Sequence, residues 1–257
     1  MSIYQHFRPE ERDFIERAIH WREYVETAFA PRLTDFLDPR EQQILKAVVG
    51  QSSEIHCHLF GGTDGAERKR AVICPDYYQA DREDFEISLF EINYPKKFIT
   101  IEHRQVLGSL MSLGLKRGKF GDILIEGDNV QFFAAKEIAD YVSLHLDSIG
   151  KASVTISEIP LEKAIQIKES WIEETSTVSS LRLDAVISAL YNVSRQKSQD
   201  LIKQGLVKVN WALVENKSFE CGEGDVISIR GYGRSKILSV EGKTKKDKWR
   251  MVAGRQK

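Results

Sequence analysis

Residues 180–210 read SLRLDAVISALYNVSRQKSQDLIKQGLVKVN, and residues 222–236 read GEGDVISIRGYGRSK. Leu183, Val186, Ile187 and Leu190 recur at i, i+3, i+4 and i+7, which is one apolar stripe of a helix, with Ser180 a candidate cap and Arg182 off the stripe at the helix start. Ser194 is placed to cap a second helix that runs through Leu201 and Ile202. Gly205, the residue best suited to a left-handed helix stop, ends it. Arg195, Gln196, Lys197, Gln199 and Lys203 fall mostly outside its apolar positions. LVKVN and GDVISIRG then alternate as strands and carry Lys208 and Arg230. The pattern is a compact α+β module of two helices followed by strands. Arg234, Lys236 and the KTKKDKWR segment at 243–250 add charge to it without a fixed geometry.

The charge of this module points to its partner. Residues 181–257 hold 16 Lys and Arg against 8 Asp and Glu, a net +8, whereas residues 1–180 hold 21 against 30, a net −9. The formal net charge of −1 therefore conceals a strongly polarised chain. A basic module of this size attracts polyanions, because each cation near a phosphate releases condensed counterions. A helix N-terminus presents free N–H groups to an anion, and Arg195 placed there strengthens a phosphate site. A basic tail that merely solubilised the protein would lack the regular apolar spacing.

Working toward the N-terminus, residues 160–180 open with Pro160 and pass through an acidic stretch to a Ser/Thr cluster, the composition of a linker or a lightly attached helix. Between Phe85 and Ile159 the order is strand (ISLFEI), helix (His103 to Leu113, before Gly114) and two strands in DILIEGDNVQFFA around Gly127-Asp128-Asn129. A second helix (Lys136 to Ile149, closed by Gly150) and a last strand (ASVTISEI) follow. That β-α-β-β-α-β order is the ferredoxin-like layout, which RRM-type domains share. An RRM stacking motif needs alternating aromatics, and RGKFGDILI supplies only Phe120 before turning aliphatic, which argues against RNA stacking on this sheet. Further upstream, Phe14, Ala18, Trp21, Val25 and Ala28 share a helical face after Pro9 and Glu10. Asp38-Pro39-Arg40-Glu41 reads as a capping box opening a helix that Gly50 stops. Glu54 to Phe60 and Arg70 to Cys74 read as strands around a flexible GGTDGAERKR hairpin. The expected organisation is α+β throughout: an N-terminal α/β unit at 1–80, a ferredoxin-like (RRM-like) domain at 81–162, a linker at 163–180 and the basic module at 181–257.

The linked motifs RLD (182–184), SR (194–195), LIKQGLVKVN (201–210) and GDVISIRGYGR (224–234) resemble the S4 domain, a small RNA-binding module. Two positions depart from it. Asn210 is followed by Trp211 where such domains usually carry Gly, a residue that disfavours the positive φ a tight type I′ turn needs, and Ser198 stands where Ala is common. HRQVLGSLMSLGLKRGKFGDILIEGDNVQFF (103–133), ahead of such a module, resembles the YlmH family of bacterial proteins over essentially the whole chain. The resemblance implies association with ribosomes, specifically large subunits carrying stalled peptidyl-tRNA, in translation rescue or quality control, and a link to cell-division gene neighbourhoods. It also implies that Arg182, Arg195, Lys203 and Lys208 face ribosomal RNA or tRNA phosphates. The full expected RNA-contacting set is Arg182, Ser194, Arg195, Lys197, Lys203, Lys208, Asn210, Arg230, Arg234 and Lys236. Lys116, Arg117 and Lys119 in the loop KRGKFGD form a second candidate contact.

Other functions are weaker readings. A pseudouridine synthase is the main alternative, but Arg182-Leu183-Asp184 lacks the preceding Gly and the following Thr-x-Gly-Leu of that catalytic motif, which leaves Asp184 as a helix-start carboxylate favoured by the dipole. An S4-bearing methyltransferase would need a Gly-rich loop and a second large α/β domain. His56, Cys57, His58 and Cys74 do not have the paired short spacings of a metal site, and GGTDGAERKR lacks the Gly-Lys-Ser/Thr ending of a phosphate loop. No catalytic residue, cofactor or metal is therefore expected. A scaffold that recruits protein partners through the acidic N-terminal two-thirds is a third reading. Three sparse cysteines, no membrane-length apolar run and no signal-peptide layout suit a cytoplasmic protein.

Overall fold

A computed structural model describes residues 11–50, 54–166, 171–244 and 246–256. Pro9 and Glu10, expected to begin the first helix, lie outside the described residues. The chain divides into two compact units, Met1–Ile167 and Lys168–Lys257.

In the first unit, α1 (Arg12–Ala28) buries Phe14, Ile15, Ala18 and Val25. α2 (Pro39–Val49) starts in the capping box expected from its sequence: Asp38 accepts from the Glu41 N–H, Glu41 reaches back to the Asp38 N–H, and Pro39 sits in the first turn. Both helices pack on a three-stranded antiparallel sheet in the order β1 (Arg32–Leu33), β3 (Arg70–Pro75), β2 (Ile55–Phe60). Cys57 faces this core, and burial pushes its thiol up to about 11, while Cys74 is buried on the other face of the sheet.

The rest of the unit is a four-stranded antiparallel sheet in the order β5 (Phe120–Glu126), β6 (Asn129–Ala135), β4 (Ile87–Asn93), β9 (Thr155–Ile159), with α3 (His103–Ser112) between β4 and β5 along the chain. This is the ferredoxin-like order. The expected long second helix is shorter. A 3-10 turn at Lys136–Ile138 leads into α4 (Ala139–His145), and Gly150, at φ +60, forms the turn between β7 (Ser148–Ile149) and β8 (Ala152–Ser153) rather than a helix stop. Phe90 and Phe132 stack within the core at a centroid distance of 5.2 Å.

The opposite face of this sheet is covered from within the unit. Gln131, inside the sheet, accepts from the Ile165 N–H at 2.8 Å and donates to the Lys163 carbonyl at 3.2 Å, so residues 161–165 lie across the strands. Phe133 is fully buried beneath Gly62, and Phe36 approaches Gly121 beside it. The loop expected to be a flexible hairpin is the join: Asp122 accepts the Glu67 and Arg68 N–H groups at 2.6 and 3.1 Å, and Arg68 donates to the Phe36 carbonyl at 2.8 Å. The two expected N-terminal domains thus share one buried interface, and the sheet face that RRM domains use for stacking is occupied here.

In the second unit a six-stranded antiparallel sheet has the order β10 (Trp171–Val178), β15 (Trp249–Gln256), β14 (Gly233–Lys243), β13 (Val226–Ile229), β11 (Val207–Val209), β12 (Ala212–Leu213). α5 (Leu183–Leu190) and α6 (Arg195–Lys203) cover one face, where Leu183, Val186, Ile187, Leu201 and Ile202 meet Val207, Val209, Ile227, Ile229 and Ile237. The expected linker is corrected. Residues 171–178 form an edge strand paired along its length with β15, residues 163–166 belong to the first unit, and residues 167–170 lie outside the described residues. Its period-2 signal is absent because only Val178 is buried. The C-terminal basic segment also has geometry, as most of it belongs to the β14–β15 hairpin.

The covered sheet gives a direct test. A Cβ at Gly62 would enter the Phe133 ring, and its φ of +97 disfavours any side chain, whereas Gly65, at φ +77, has open space around it. Gly62→Ala is expected to lower stability by about 1–3 kcal/mol more than Gly65→Ala, the usual cost of overpacking, as read from urea unfolding midpoints. Equal midpoints would mean that the loop does not rest on Phe133.

Candidate nucleic-acid interface

The expected contact residues are positioned by the two helices and by the sheet face opposite to them. α5 begins at Leu183 with Arg182 in the cap position. Ser180 is not its cap, and no side chain caps the helix. α6 is capped as its sequence indicates, with the Ser194 hydroxyl accepting from the Lys197 N–H at 3.1 Å. Ser198, where S4 domains often have Ala, is fully buried and donates to the Ser194 carbonyl at 3.2 Å, which satisfies the added hydroxyl.

Asp184 organises this end of the unit. Its side chain has 0% exposure. Arg182 donates from Nε and Nη2 to its two oxygens at 3.2 and 3.3 Å, Arg195 does the same at 3.1 and 3.4 Å, and Gln199 Nε2 donates at 2.9 Å. Burial alone would raise the carboxyl pKa, but the hydrogen bonds from Arg182, Arg195 and Gln199 outweigh it and hold the group well below the ordinary carboxylate range. The two guanidinium side chains keep 38% and 50% exposure. A guanidinium carries five N–H donors, and each of these turns only Nε and one terminal nitrogen toward Asp184, so donors remain for an outside oxyanion. The set of one carboxylate and two guanidiniums is a net cation with fixed geometry. Both oxygens of Asp184 are engaged inside the protein.

A second cluster lies on the sheet. Val207, Val209, Ile227 and Ile229 face the core, so alternation turns Lys208 and Ser228 to the opposite face, where the register aligns Lys208, Ser228 and Arg234 across three strands. A groove of about 540 Å³ is lined by Lys208, Arg230 and Arg234, with Gly205, Leu206, Ser228, Ile229 and Gly233. No lining residue is acidic. Lys236 follows on the same strand, its Nζ 6.0 Å from the centroid of the Trp171 ring.

The remaining expected residues join neither cluster. Lys197 is exposed on the first turn of α6. Lys203 lines a mixed-charge depression with Asp200, Glu215 and Lys217. Asn210 is used by the fold: its amide donates to Asp225 at 2.8 Å and accepts from the Val226 N–H at 2.9 Å, which fixes the turn against β13 and takes it out of the contact set. The type I′ turn forms despite Trp211, with Asn210 at φ +49 and Trp211 at φ +64 joining the Val209–Ala212 pair.

The second candidate contact is corrected at two of its three residues. Arg117 donates to the Phe120 and Gly121 carbonyls, and burial, with Arg68 nearby, lowers its pKa to about 10. Lys119 is held by Asp35 at 2.6 Å and Glu137 at 2.8 Å, which outweigh the effect of burial and raise its pKa. Both side chains stitch the first unit together, and of the three only Lys116 is exposed. The sequence shows Asp184 as a helix-start carboxylate and Gln199 as a polar position of the second helix, but not that they meet, because the contact spans 15 positions.

Asp184→Asn keeps the shape and removes the charge. The ~3–5 kcal/mol typical of breaking a buried ion pair is an upper bound on its cost, because both guanidiniums reach water. A depressed carboxyl pKa stabilises the fold fully above the ordinary value of 3.8, and that contribution is lost as pH falls through the folded-state value. The native unfolding midpoint should therefore drop on acidification below about pH 4, and the Asp184→Asn variant should lack that component. Parallel pH profiles of the two proteins would contradict the buried anchor.

Comparison with known proteins places these features in a family. Models described as "YlmH, N-terminal", "Putative RNA-binding domain in YlmH" and "S4 domain" match residues 10–78, 80–163 and 181–227. A Bacillus subtilis (strain 168) protein named ribosome-associated protein quality control protein P2 is 49% identical over 257 residues, covering 100% of this chain and 99% of that protein. A solved structure titled cell division protein ylmH from Streptococcus pneumoniae is 34% identical, with a TM-score of 0.55, and the match covers 64% of this chain and 100% of that one. With all three regions matched and a relative aligned from end to end, the chain belongs to the YlmH family.

Proposed function

We propose that this protein is a ribosome-associated RNA-binding protein of translational quality control, acting in the cytoplasm through its C-terminal unit on the large ribosomal subunit with peptidyl-tRNA. The observation that carries RNA binding is the groove of Lys208, Arg230 and Arg234, whose lining contains no carboxylate. The Arg182–Asp184–Arg195 cluster adds oriented donors suited to phosphate oxygens. A-form RNA hides its major-groove edges, so fixed cations that meet phosphates and 2′-hydroxyls suit structured RNA. The relative's printed name supports the ribosomal setting.

The protein acts by binding rather than by catalysis: the carboxylate that resembles a pseudouridine synthase aspartate, Asp184, is locked between two arginines and a glutamine. The acidic first unit offers a separate surface for protein partners.

Sucrose-gradient co-sedimentation with purified ribosomes, at low and moderate salt, tests this reading. The native protein is expected in the large-subunit fractions at low salt. Lys208→Ala and Arg230→Ala, at exposed positions, should each reduce the salt dependence of binding by ~0.7–0.9 in the slope of log K against log salt per lost phosphate contact. Absence from every ribosomal fraction at low salt would overturn the ribosomal reading, and unchanged slopes in both variants would overturn the groove.

A further inference from the structure

We propose that the Asn210–Trp211 turn carries a stacking site for one unpaired RNA base, with the adjoining cationic groove holding that nucleotide's flanking phosphates; this rests on the RNA-binding reading above. A two-residue hairpin turn of this type needs positive φ at both central positions, and glycine at the second is the ordinary solution. This chain places tryptophan there, at φ +64, in a region that bulky side chains disfavour. The hydrophobic core of the unit does not require it: Trp249 packs against that core and Trp211 does not. Trp211 is half-buried against Arg234 but stands outside the core cluster, and strain held at a position the core does not use points to a role beyond the fold.

The surroundings of the ring indicate its ligand. The Arg234 guanidinium lies 5.4 Å from the centroid of the Trp211 ring, and the same Arg234 lines the groove with Lys208 and Arg230. Among the described residues, no hydrogen bond holds the indole N–H. An indole backed by a cation and continuous with a groove free of carboxylates matches a nucleotide, whose flat base stacks on the ring and whose phosphates meet the cations. A base within a continuous duplex is already stacked on its neighbours, so the ligand is a base in a loop, bulge or end.

The test uses the full chain and two synthetic RNA hairpins, one with a fully paired stem and one with the same stem and a single bulged adenosine, read by fluorescence anisotropy. Trp211→Gly relieves the backbone strain, so its thermal midpoint should equal or exceed that of the native protein. It should bind the bulged RNA about five- to one-hundred-fold more weakly, the range for losing one base–aromatic stack, with no change on the paired RNA. Trp211→Phe should retain most of the affinity. Equal binding of the bulged RNA by native protein and Trp211→Gly, or an equal loss on both RNAs, would overturn the stacking site. If Lys208→Ala weakens binding to both RNAs while Trp211→Gly weakens neither, RNA binding stands and stacking alone fails. A native protein that binds neither hairpin would overturn both.

Discussion

A carboxylate with no access to water holds the start of both helices in the C-terminal unit. Asp184 is stable as an anion only because Arg182, Arg195 and Gln199 surround it, and a buried charge without such partners would cost several kcal/mol, on the order of the unit's whole stability. The constraint works in both directions. An arginine side chain carries about 2 kcal/mol of rotamer entropy, and the carboxylate removes much of that freedom before any ligand arrives. What the cluster presents to an outside oxyanion is therefore a pair of guanidiniums already oriented, with the loss of freedom met during folding rather than binding. Ser194, which caps α6, sets the position from which Arg195 reaches back to Asp184.

The first unit applies the opposite logic to its own sheet. A ferredoxin-like sheet with an open face is a natural platform for nucleotides, yet Phe133 and Gln131 are buried here under the 61–69 loop and residues 161–165. The cations near that join, Arg68, Arg117 and Lys119, serve carbonyls and carboxylates of the same unit. Sharing the topology of an RNA-binding domain therefore does not give the sheet that domain's surface. The charge is divided along the chain as well, with a net −9 over residues 1–180 and +8 over the remainder.

Local features were legible in the sequence wherever one residue decides a local geometry. The Asp38 capping box, the Ser194 cap, the left-handed Gly114 and Gly205, and the β-α-β-β order all follow from neighbours within a few positions. The features that escaped depend on distance or on missing contrast. Strand 171–178 lies at a sheet edge with most residues exposed, so no alternation marks it. Arg195 and Gln199 meet Asp184 across 11 and 15 positions, which no periodicity reports. Arg117 and Lys119 look like free cations in a Gly-rich loop until Asp35 and Glu137, far away in sequence, are placed beside Lys119. The turn at Trp211 ran against propensity because the register of β11 and β12, with Asn210 bonded to Asp225 and Val226, overrides one residue's preference.

Ultraviolet cross-linking of the full chain to ribosomes, followed by mapping of the RNA-bearing peptides, tests the central claim most directly. RNA adducts are expected on peptides of the C-terminal unit, around the α6 start, residues 208–211 and residues 230–236. Adducts concentrated on strands 87–93 and 129–135, with none in the C-terminal unit, would contradict it.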